Sequence, residues 1–99
     1  MDKAQIINIL RKNKEVLKDN FNILKIGLFG SYSTNTFTEN SDIDIIYELE
    51  EGKRMGLREV YELEMFFKRL FQIDKIDLVN SRYVNPIIGN EIEKTVIYV

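Results

Sequence analysis

The chain has 99 residues, 44% of them hydrophobic and 30% charged, which is the balance of a domain with one core, so a single domain is expected and a second is excluded. Fourteen basic residues against sixteen acidic ones leave a formal charge of −2, which argues against a dedicated nucleic-acid binder, and the absence of Cys and His removes disulfides, thiolate metal sites, imidazole bases and zinc triads. Chemistry must then use carboxylates, hydroxyls and cations; no apolar run approaches a membrane span and the amino terminus has no signal-peptide pattern, so a cytoplasmic location is expected.

Asp2 with Gln5 forms a capping-box pattern, and Ile6, Leu10, Leu17 and Phe21 follow at helical spacing, predicting a helix to about Lys18, with Asp19-Asn20 as its break. The opposite face, with Lys3, Arg11, Lys14 and Lys18, reads as solvated surface. A strand is predicted over Ile23–Phe29, with Leu24, Ile26 and Leu28 on one face and Ile23, Lys25 and Phe29 on the other. Gly27 within it permits close approach of another backbone or a ligand.

The next stretch organises the chain. The strand ends at Gly30-Ser31, a loop rich in Ser, Thr and Asn follows, and a second strand opens with Asp42 and Asp44. Residues i and i+2 of a strand share a face, about 6 to 7 Å apart, so both carboxylates project one way while Ile43, Ile45 and Tyr47 project the other. A charged turn, Glu50-Glu51-Gly52-Lys53-Arg54, leads to a helix over Leu57–Phe71, whose stripe of Val60, Leu63, Phe67 and Leu70 is core and whose outer face pairs Arg58 with Glu62 and Glu64 with Lys68. A third strand is predicted over Ile73–Val79 and carries Asp77. Asn85-Pro86 suits an N-cap followed by the first helical position, giving a short helix from about Pro86 to Lys94. Thr95–Val99 is a β-rich tail that adds an edge strand or docks on a partner. Helices alternating with strands predict an α/β or α+β fold, with the helices on one side of the sheet and Asp42, Asp44 and Asp77 on the other.

Each of these features has an ordinary reading. Gly30-Ser31 alone is a strand-ending turn, and an acid on a strand is commonly a solvated one. The joint pattern demands more: Gly-Ser after a strand, two alternating acids opening the next, and a third acid within a later one. Three converging carboxylates usually hold a divalent metal.

Gly30-Ser31, nine intervening residues and then Ser41-Asp42-Ile43-Asp44 resemble the signature of the nucleotidyltransferase superfamily that includes DNA polymerase β. The short form of that superfamily is the minimal nucleotidyltransferase, the antitoxin half of many prokaryotic toxin–antitoxin pairs, and the likeness extends over nearly the whole chain. It implies a small mixed sheet backed by helices, with Asp42, Asp44 and Asp77 as catalytic and metal-binding residues. It further implies Gly30, Ser31 and Ser41 at the nucleotide, ATP as substrate, and two Mg²⁺ ions, with Mn²⁺ as an alternative. The implied partner is a HEPN-type toxin whose tyrosine receives AMP; both homo- and hetero-oligomers stay open, and no direct nucleic-acid or membrane binding is expected.

The chain departs from the family at Thr34 and Asn35, where many relatives carry a basic residue and then a glycine. Asn tolerates the left-handed conformation better than most residues, so its presence is a mild change. Thr34 removes a cation beside the phosphates, a loss of about 1–3 kcal/mol if that contact is a charge-assisted hydrogen bond. Lys53 and Arg54 in the following turn are candidates to compensate, although surface charge is the simpler account of them. Two readings follow: an enzyme that transfers AMP to a protein hydroxyl, and a catalytically weak or inactive module that neutralises a partner by occlusion. Three carboxylates without a metal repel one another, which favours the enzyme.

Overall fold

In the computed structural model, which describes residues 1–99, the predicted capping box is present. Asp2 Oδ1 accepts from Gln5 N at 2.9 Å and Gln5 Oε1 accepts from Asp2 N at 2.8 Å, opening α1 (Lys3–Lys12). The single helix expected to Lys18 is instead two. Asn13 leaves the helical region at φ −105°, ψ 9°, its Nδ2 donates to Ile9 O at 2.8 Å, and α2 (Lys14–Phe21) restarts beyond it. Asp19-Asn20 does not end the pattern; Asn22 does, in the left-handed conformation at φ 59°, with its amide donated to Leu17 O and Lys18 O.

Strand β1 (Ile23–Phe29) has the predicted bounds but not the predicted faces at its start. The register with the next strand shifts between Ile23 and Lys25, and this irregularity turns Ile23 into the core while leaving Leu24 54% exposed. An extra residue in one strand inverts the alternation on one side of it, which periodicity alone does not reveal. Beyond the shift, Ile26 and Leu28 are buried as expected.

Strand β2 (Ile43–Leu49) runs antiparallel to β1, with Leu28 opposite Ile45 and Phe29 opposite Asp44. The turn that follows bends at Gly52, φ +80°, and α4 (Leu57–Phe71) supplies the crossover that a parallel pair requires. On α4, Leu63, Phe67 and Phe71 are buried, while Val60 sits at the rim; Arg58 pairs with Glu62 at 3.4 Å, but Glu64 and Lys68 form no ion pair. Strand β3 (Ile76–Asn80) lies parallel to β2 and starts three residues later than predicted, because Asp74 and Lys75 turn the chain: Ile76 N donates to Asp74 O, and Lys75 O accepts from Ile43 N at 2.8 Å.

Asn85 Oδ1 accepts from Ile88 N at 2.9 Å and Pro86 takes the first turn of α5 (Pro86–Thr95), which runs one residue past its predicted end. The tail then forms β4 (Ile97–Tyr98), an edge strand antiparallel to β1. Its close approach explains Gly27, where a Cβ would lie 2.9 Å from both Tyr98 Cδ1 and Val96 Cγ2. The sheet is mixed, in the order β3-β2-β1-β4. Ile6, Leu10, Leu17, Leu63, Phe67 and Phe71 pack with Ile43, Ile45 and Tyr47 in one core, so α1, α2 and α4 cover one face of the sheet, and the even-numbered residues of β2, Asp44 among them, turn to the other. No helix is long and apolar enough to cross a membrane.

Candidate active site

The site is built where β1 stops. Gly30 takes φ +76° and ψ −152°, a region open essentially to glycine, and turns the strand into the single helical turn α3 (Ser31–Thr34). Its carbonyl is held by Ser33 N at 3.1 Å, Thr34 N at 3.2 Å, Ser33 Oγ at 2.9 Å and Thr34 Oγ1 at 3.3 Å. Its α-carbon faces Asp44 so closely that a Cβ there would overlap Asp44 Oδ2 and stand 3.0 Å from Asp44 Cγ. Glycine at this position is therefore required twice, by conformation and by space. Asn35 closes α3 at φ 61°, in the left-handed conformation, and donates its amide to Ser31 O.

Asp44 stands directly opposite Asp77 in the parallel β2–β3 pair and opposite Phe29 in the antiparallel β1–β2 pair. Paired residues of neighbouring strands, about 5 Å apart, share a face, so the two carboxylates converge. Asp42 lies one residue ahead of the strand, exposed, and on the face of Asp44 by alternation. Burial of Asp44, then the charge of Asp77, then that of Asp42 push its carboxyl up to about 6. Both other predicted acids thus act on Asp44. The three do not close into a preformed cage, since no three acidic side chains stand in ligating geometry. Such openness suits a hard cation: magnesium is usually held by one or two carboxylates together with waters and substrate phosphates, and the donors here are all oxygens.

The two predicted serines differ. Ser31, at the first position of α3, has no hydrogen bond from its hydroxyl to the rest of the chain, whereas Ser41 Oγ accepts from Thr38 N at 2.8 Å and closes the Thr38–Ser41 turn. Thr34 spends its hydroxyl on Gly30 O, Ser31 O and Thr36 Oγ1. Lys53 and Arg54 line the largest cavity, about 460 Å³, which lies between the Glu48–Met55 turn and Asn80–Tyr83. At about 3.3 Å per residue this is some 16 Å along β2 from Asp44, so neither Lys53 nor Arg54 adjoins the acids. One contact escaped the sequence: Gly30 N donates to Thr95 Oγ1 at 3.1 Å, across 65 residues of chain, and no local pattern announces it.

A glycine–serine turn seated against one aspartate, with a second aspartate in register on the adjoining parallel strand, defines a carboxylate site on a mixed sheet, suited to phosphoryl chemistry with hard cations. Residues 5–99 match the family described as Polymerase beta, Nucleotidyltransferase, and the chain belongs to that family. MJ1379 of Methanocaldococcus jannaschii, named as a candidate protein adenylyltransferase, is 38% identical over 97 residues, which cover 97% of this chain and 96% of that protein. Protein adenylyltransferase MntA of Thermococcus cleftensis is 33% identical over 95 residues, 96% of this chain and 93% of the relative. Among solved structures, a toxin–antitoxin with AMP-PNP superposes with a TM-score of 0.69 at 26% identity, over 99% of this chain and 72% of that one. The α/β class expected from the alternation of helices and strands is found, and so is the nucleotidyltransferase fold with a small mixed sheet that the family resemblance implies.

Proposed function

We propose that this protein is a metal-dependent adenylyltransferase that moves AMP from ATP to a tyrosine hydroxyl of a partner protein, and that it acts as the antitoxin of a HEPN-type toxin. The observation that carries the reading is the in-register pair Asp44 and Asp77 beside the Gly30 turn. The adenylyltransferase relatives support the reaction, and the likeness to a toxin–antitoxin bearing an ATP analogue supports both the nucleotide and the class of partner.

Asp42 and Asp44 are the residues that would hold two Mg²⁺ ions, with Asp77 sharing one of them. Bound there, the cations would neutralise charge on the α-phosphate and the leaving pyrophosphate. Asp77 orients the acceptor hydroxyl and takes its proton; the acceptor oxygen bonds to the α-phosphorus while the bond from that phosphorus to the bridging oxygen breaks and pyrophosphate leaves with the electron pair. Ser31 offers its unengaged hydroxyl to the triphosphate, Gly30 leaves room for its approach, and Ser41 shapes the loop that borders it. A tyrosine suits the acceptor role because its pKa near 10 is low for a hydroxyl.

A second reading, occlusion of the partner with little turnover, is favoured by one feature: the cation missing at Thr34, whose hydroxyl is engaged within its own turn. Co-expression of the partner with wild type and with an Asp42→Asn, Asp44→Asn double variant separates the two. The enzyme reading expects one or more AMP units on the intact mass of the partner with wild type alone. Equal neutralisation of toxicity by both proteins, with no mass change, leaves the occluding module.

A further inference from the structure

Gly30 is the hinge of the site, and its two backbone polar groups are secured by different parts of the chain. The carbonyl is held locally by α3. The amide has no strand partner, because the β1–β2 ladder ends at the pair Phe29 and Asp44 and the β1–β4 ladder involves only Gly27 and Leu28. It is satisfied instead by Thr95 Oγ1 at 3.1 Å, and that hydroxyl directs its own proton to Glu91 O at 3.3 Å, one turn back in α5. The hydroxyl is thereby oriented as an acceptor toward Gly30. Thr95 is held in turn by the elements on either side: Val96 N caps α5 through Ile92 O, the buried Ile92 anchors the helix, and β4 pairs with β1 immediately beyond.

We propose that Thr95 is a positioning residue for nucleotidyl transfer, fixing the Gly30 turn so that Ser31 and Asp44 keep their mutual placement. The inference rests on the function proposed above. Thr95 acts through Gly30, whose α-carbon carries Asp44 directly against it and whose next residue presents the free Ser31 hydroxyl. Misplacement of a catalytic group by about 1 Å is enough to cost on the order of a hundredfold in rate, so a bond that fixes the hinge has leverage out of proportion to its strength. A second consequence is that the carboxy-terminal segment, though remote in sequence, is mechanically part of the site.

The test compares Thr95→Val, which keeps the shape and removes the acceptor, with Thr95→Ser, which keeps the acceptor and removes the methyl. Three readouts are taken on the full chain: hydrogen exchange of the Gly30 amide, the thermal transition, and AMP transfer to the partner split into kcat and the KM for ATP. Thr95→Val is expected to speed Gly30 exchange at least tenfold and lower kcat about 10 to 100 fold. Its KM should change less than its kcat, and Thr95→Ser should restore both exchange and kcat. Loss of kcat in Thr95→Ser equal to that in Thr95→Val would overturn the proposal, since the retained hydroxyl would then not hold the rate and the packing of the whole side chain would account for both losses. So would fast Gly30 exchange in Thr95→Val with an unchanged kcat. An unfolded Thr95→Val beside a folded but equally slow Thr95→Ser reduces the role to packing and also overturns it. Absence of transfer by the wild type is a different failure, because it removes the adenylyltransferase reading itself.

Discussion

Asp44→Asn isolates the electrostatic cost of assembling the carboxylates. The folded chain raises this carboxyl from 3.8 to about 6, first by burial and then through Asp77 and Asp42. Because the folded state binds the proton more tightly than the unfolded chain, folding is penalised wherever the group is ionised. The penalty is absent below about pH 3.8, grows between pH 3.8 and 6, and is complete above that. At 1.36 kcal/mol per pH unit the full shift corresponds to about 3 kcal/mol, and because Asp44 is only half-buried, solvent screening reduces this to about 1–2 kcal/mol. Asn has nearly the same shape and no charge. In chelator, Asp44→Asn is therefore expected to be more stable than wild type at pH 7.5 by about 1–2 kcal/mol, or roughly 5–10 °C in Tm for a domain of this size. The difference should close as the pH falls below 4. Urea denaturation of both proteins at several pH values from 3.5 to 8 measures it. A variant less stable than wild type at pH 7.5, or a difference that does not vary with pH, would refute the reasoning.

Gly30→Ala is expected to lose about 1–3 kcal/mol of stability from the positive φ alone, and to lose AMP transfer because the new methyl displaces the Asp44 carboxylate; urea denaturation and a transfer assay check the two parts separately. Ser31→Ala should slow transfer about 10 to 100 fold at saturating ATP with the fold unchanged, and a wild-type rate would show that the free hydroxyl does not meet the triphosphate. Thr34→Lys should tighten ATP binding, most at low ionic strength where screening is weak, and equal affinity across a salt series would place this position away from the phosphates.

The local chemistry of this protein was legible because it is written in short-range periods. Alternation placed Asp42 and Asp44 on one face, the stripe of α4 marked Leu63 and Phe67 as core, and Asn85-Pro86 marked the start of α5, all from spacings within a few residues. Even the departure at Asn35 was readable, since a residue tolerant of the left-handed conformation stands where that conformation occurs. What the spacing could not supply is anything that depends on two distant segments meeting. The register that sets Asp44 opposite Asp77, the shift that turns Leu24 outward, and the bond from Gly30 to Thr95 follow from how strands slide and cross when one core is packed. That sliding is decided by the summed burial of both partners, a quantity no single stretch contains. The residue types for phosphoryl chemistry are thus specified in the sequence, while their convergence into one site belongs to the tertiary structure.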